Sequence, residues 1–155
     1  MQAIDKRIRA GLILFWALYF SIVWSSNTAD ALKTLSILPT NWTFVSGNYT
    51  LIVRVLAIYQ SPTWLARLFF GGVILWEALG AIYFWKAFGA VNRQTLTQTA
   101  SIHRAFGVTI GLWAAFILAD EVFLAYMLGG LSTTHYLLLL SELASFILVR
   151  QLDKV

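Results

Sequence analysis

Four apolar stretches, at residues 9–25, 64–88, 105–128 and 134–150, leave this chain few ways to fold. A backbone placed in hydrocarbon finds no water for its N–H and C=O groups, so it must satisfy them internally. A hydrocarbon core takes about 20 apolar residues at 1.5 Å each, and each stretch is long enough, or nearly so, to cross as a helix. The rest of the chain agrees. Hydrophobic residues make up 59% and charged residues 12% of it, with a mean hydropathy of +0.74, where a soluble domain carries about 25% charged residues. The expectation is an all-α integral membrane four-helix bundle, one domain over residues 1–155, with no repeat and no low-complexity linker. The first and last spans are short and should lean on interfacial Trp, Tyr and Arg.

Lys and Arg placement sets the orientation. Lys6, Arg7 and Arg9 precede the first span, Lys86, Arg93 and Arg104 surround the second connection, and Arg150 and Lys154 follow the last span. Lys33, Arg54 and Arg67 lie on the other side. Both termini are therefore expected in the cytoplasm. The +4 net charge describes a basic inner face suited to anionic lipid headgroups and gives no reason to invoke nucleic acid. Lys6, Arg7 and Arg9, followed by Ala29-Asp30-Ala31, also match a cleavable signal sequence, but we read the segment as a retained helix. The chain has no cysteine, which removes disulfides, thiolate metal sites and thiol catalysis. Asn41-Trp42-Thr43 and Asn48-Tyr49-Thr50 match the glycosylation pattern, which is common by chance.

The exterior connection, residues 26–62, is patterned. Ala31, Leu32, Leu35 and Leu38 share one helical side, as do Leu51, Ile52, Val55, Leu56 and Tyr59, so two short interfacial helices are expected. A turn around Pro39 to Gly47 separates them, and the whole should cap the exterior end of the bundle.

Four carboxylates lie inside the apolar segments: Glu77, Asp120, Glu121 and Glu142. A carboxylate at mid-bilayer costs about 2.5–3.5 kcal/mol on insertion scales, so each needs a partner or a use. Gly107 and Gly111 share a face of the third span with Ala114, Leu118, Glu121 and Ala125, which suggests close packing on the second span and a buried Glu121. Asp120 falls about 100° away, beside Trp113 and Phe116, facing either the interior or a neighbouring subunit. Gly80 and Ala81 lie one turn beyond Glu77, and Ser141, Glu142 and Ser145 form a polar patch in the last span. From the span ends, Glu77 should lie about 20 Å from the exterior edge, and Glu121 and Glu142 about 10 Å. Arg67 and Arg54 are the expected basic partners.

Several chemistries are excluded. A four-helix di-metal site draws on Glu-x-x-His pairs, and none occurs. His103 and His135 begin the third and fourth spans on opposite membrane faces, so they cannot share one haem. Each is read as an interfacial polar residue. No phosphate loop, hydrolase elbow or zinc spacing is present. No metal site and no catalytic residue is therefore assigned. The Trp and Tyr residues at span ends read as an aromatic belt, with a quinone or pigment contact as the alternative.

Asn27-Thr28-Ala29-Asp30 after the first span, Trp76-Glu77-Ala78-Leu79 within the second and Ala119-Asp120-Glu121-Val122-Phe123 late in the third resemble a bacterial family of predicted small integral membrane proteins of unknown function. That resemblance implies a four-helix protein of a bacterial inner, or other energy-transducing, membrane, with polar landmarks at Asn27, Asp30, Glu77 and Glu121. It brings no activity with it. Three functions fit the residues. The first is a non-catalytic accessory subunit of a larger membrane complex, contacting lipids and other membrane subunits. The second is a proton or cation relay through the carboxylates. The third is an anchor contacting a quinone or pigment.

Overall fold

The computed structural model describes residues 2–125, 128 and 130–152. Tyr126, Met127 and Lys154, assigned above to the third span and the basic face, lie outside these. Five helices are present among the described residues: α1 Gln2–Thr34, α2 Asn48–Ala57, α3 Thr63–Asn92, α4 Gln98–Val122 and α5 Leu131–Gln151. Four of them, all but α2, are long and apolar enough to cross a membrane. The protein is a four-helix bundle of the integral membrane kind, with α2 as a short helix between the first two spans.

The helices pack in order around one centre. α1 lies against α3, α3 against α4 and α4 against α5, while α2 rests on α3 and α1. Residues of α1 recurring every three or four positions, Ile13, Trp16, Ala17 and Phe20, meet Ala81, Phe84 and Ala87 of α3. From the other side come Ile102, Ala105, Phe106, Leu112 and Trp113 of α4 and Val149 of α5. Phe20 stacks on Phe84 at 5.8 Å with the rings 11° apart, and Phe106 meets Phe84 edge-on at 5.0 Å. Outward faces are equally apolar: Phe15, Leu18, Ile22, Leu75, Leu79 and Ile82 are all exposed. Such a surface belongs in lipid, where shape rather than hydrophobicity decides which face turns inward.

Two sequence expectations change. The first of the two interfacial helices does not exist as a separate element, because α1 runs unbroken to Thr34 and absorbs Ala31 and Leu32 into its last turns. It ends where Ser36 takes a left-handed φ of 58°. The amide of Ser36 donates to the Lys33 carbonyl at 3.0 Å and that of Ile37 to the Leu32 carbonyl at 2.9 Å, the paired closure of a Schellman motif. Gln60 and Gln94 close α2 and α3 in the same way.

The second change concerns α4, which ends at Val122 rather than near residue 128. Its Gly107 has open space where a side chain would go, and Gly111 meets only the ring of Trp76, at 3.5 Å. The close helix approach lies instead at Gly80 of α3. A methyl group there would come within 2.7 Å of Thr109 Cγ2 and 3.3 Å of Phe20.

Candidate functional site

The structure distributes the four carboxylates unequally. Glu77, Asp120 and Glu142 are buried, whereas Glu121 is exposed. The expectation of a buried Glu121 fails for two connected reasons. The Gly107 and Ala114 face of α4 turns outward, and the helix stops one residue beyond Glu121. Glu121 therefore sits at a helix end, where a charged head can reach interfacial water. Arg54 and Arg67 are exposed too, and neither forms an ion pair among the described residues. The three buried carboxylates take neutral or imidazole partners instead.

Glu77, in the middle of α3, accepts two hydrogen bonds from Asn27 Nδ2, at 2.7 and 2.8 Å. Asn27 is fully buried in α1, and its Oδ1 accepts from Asn48 Nδ2 of α2 at 2.8 Å. A continuous polar chain thus runs from the cap to the centre of the bundle. Asp30, one turn further along α1, supports the same cap. Its Oδ2 accepts from Ser46 Oγ at 3.1 Å and from the Tyr49 amide at 3.0 Å. Gly47, the residue before α2, offers no side chain to cap the helix. Asp30 therefore caps α2 from another element, with its carboxylate at the positive end of that helix.

Asp120 and His135 form a second pair, with Oδ2 and Nδ1 2.7 Å apart. They sit on the two sides of the α4–α5 turn, and the His135 ring packs on Phe116 at 4.9 Å. Reading His135 as a plain interfacial residue missed this pair. The signal was present, since the end of one span and the start of the next lie at the same depth. His103, at the other end of the bundle, rests edge-on against Phe146. A third contact joins Thr109 Oγ1 of α4 to Glu142 Oε1 of α5. The same hydroxyl also lies 3.0 Å from the Ala105 carbonyl.

A cavity of about 430 Å³ lies beneath the cap. Glu77, Tyr19, Asp120 and His135 reach its wall, as do Ser46 and Asn48 from the cap side. The rest is largely apolar: Leu51, Ile52, Val55 and Leu56 of α2 form the roof, and Phe69, Phe70, Trp113, Phe116 and Phe123 line the sides. No family model matches the chain, nor does any curated protein or solved structure. The geometry therefore carries the functional reading. Among the described residues, no three of His, Asp and Glu gather closely enough to hold a metal ion. The cavity combines flat ring walls with a few polar groups that converge from α1, α3, α4 and α5 and from the cap.

Proposed function

We propose that this protein holds a small amphipathic ring compound of the quinone or pigment class in the cavity beneath its cap, and performs no chemistry on it. What carries this reading is the meeting of a carboxyl, a phenol and an imidazole with five aromatic side chains around one space. Its volume lies within the roughly 300–1,000 Å³ of ordinary ligand pockets, which pair apolar walls with a few orienting polar groups. Asp120 engages Nδ1 of His135, so Nε2 is the nitrogen available to a head group, with the Tyr19 hydroxyl as a second contact. An isoprenoid or alkyl tail would leave between helices into lipid.

A relay across the membrane has less support. Past Thr109 and Glu142, which lie at the level of Gly80, the buried side chains toward Arg9 are chiefly Ile13, Trp16, Phe84, Ala87, Ile102, Ala105 and Phe106, an apolar stretch without a carboxylate, imidazole or hydroxyl to pass a proton on. One observation favours an accessory role as a second reading: the exposed Gly107 and Ala114 of α4 would admit a partner helix closely. The Lys and Arg distribution and the family resemblance lead us to assign the protein to a bacterial inner membrane with cytoplasmic termini.

Titration of the purified protein with a short-tailed benzoquinone, read by tryptophan fluorescence, tests the ligand reading. Saturable quenching should occur, and it should weaken at least about tenfold in His135→Ala, the loss of one good hydrogen bond to a bound head group. Quenching that never saturates, or that is unchanged in His135→Ala, overturns the assignment. Mass measurement in mild detergent tests the second reading, which a stable lone monomer would sink.

A further inference from the structure

The end of the bundle opposite the cap holds a second cavity, of about 530 Å³, where α1 begins, α3 ends and α4 begins. Among the described residues its wall carries Lys6, Arg7 and Arg9 against one carboxylate, Asp5. Arg9 is only 6% exposed, so one guanidinium is set into the wall, while Lys6 and Arg7 are exposed at the mouth. Gln94 and Gln98 add uncharged hydrogen-bonding groups. Gln98 is also the first residue of α4, whose N-cap Thr97 makes no side-chain cap and instead shares a hydrogen bond with Thr95 at 3.2 Å. Ala10, Val91 and Leu152 supply an apolar side to the same space.

We propose that this cavity binds a phosphate ester, the headgroup of an anionic phospholipid. Guanidinium groups pair with phosphate oxygens through paired, charge-assisted hydrogen bonds. The start of α4 adds its positive helix-dipole potential at the same place. The apolar side lets a glycerol backbone and acyl chains continue toward the hydrocarbon, which a soluble phosphate would not use. The site is independent of the cavity under the cap and of the function proposed for it.

The test compares retention of phosphatidylglycerol and phosphatidylcholine on the full chain by native mass spectrometry, with inorganic phosphate as a separate probe of thermal stability. Two doubly neutralised variants are measured beside the wild type. Lys6→Gln/Arg7→Gln removes charge from the cavity, and Arg93→Gln/Arg104→Gln removes equal charge from exposed positions outside it. The wild type should prefer phosphatidylglycerol by at least about tenfold, given roughly 1 kcal/mol for each basic residue near an anionic lipid. That preference should vanish in the first variant and persist in the second. Lys6→Arg, which keeps the charge, should retain it and so separates charge loss from misfolding. Stabilisation by inorganic phosphate in the wild type but not in Lys6→Gln/Arg7→Gln, without lipid preference, keeps the phosphate chemistry and assigns it to a soluble source. Equal loss in both double variants, or neither preference nor stabilisation in the wild type, overturns the site.

Discussion

Asn27 is the residue through which α1, α2 and α3 share one polar network. Its amide supplies both hydrogen bonds to Glu77 and accepts the one from Asn48. Asn27→Ala leaves a buried carboxyl without donors and should cost about 1–3 kcal/mol, measured by reversible unfolding in mixed detergent. Glu121→Gln in the same assay should change stability by less than about 0.5 kcal/mol, because that side chain is exposed and forms no ion pair among the described residues. Gly80→Ala belongs with the costly changes. Its methyl would press on Thr109 and Phe20, and overpacking of this kind typically costs about 1–3 kcal/mol. If Gly80→Ala is neutral while Gly107→Ala is not, the contact face of the two central helices has been misassigned.

At the scale of elements, the helix ends and the cap are where small changes should show most. Ser36 closes α1 with a left-handed backbone, which costs a non-glycine residue about 1 kcal/mol or more. Ser36→Gly should therefore raise stability by about 0.5–1 kcal/mol in the same unfolding assay. Asp30→Ala removes the acceptor for the Tyr49 amide and should speed hydrogen exchange through α2 while leaving α3 and α4 protected. The spans were legible in the sequence because length and hydropathy alone fix them, and Glu77 stood out as a carboxylate where lipid tolerates few, whereas Asn27 and Asp30 were marked only by the family resemblance. Which face of α4 turns inward was not legible. All its sides are apolar, so the rule that small residues mark the contact pointed to Gly107 when the tight approach was at Gly80. The short reach of α4 was hidden as well, because apolar residues continue past Val122 into the turn and gave no stop signal. The Asp120–His135 pair required placing two helix ends at one depth, a step that single-helix periodicity does not make.

For the whole molecule, the two ends differ in chemistry: a hydrogen-bonded cap at one and a cluster of cations at the other. Because the chain has no cysteine, a single introduced thiol reports one position only. Thr43→Cys in the cap loop should react with an impermeant maleimide added outside intact cells. Leu96→Cys, in the α3–α4 turn, should react only after the membrane is opened, and the reverse pattern would invert the assigned orientation. The cap itself is a ten-residue helix fastened by Asp30, by Asn48 and by Tyr59, whose hydroxyl donates to the Val122 carbonyl at 2.6 Å. So small a piece can open at far less cost than unfolding the bundle. Any molecule beneath it would then exchange on the clock of that opening. Weakening the fastening at Asp30 should quicken arrival and departure together, shortening residence time while leaving the dissociation constant almost where it was.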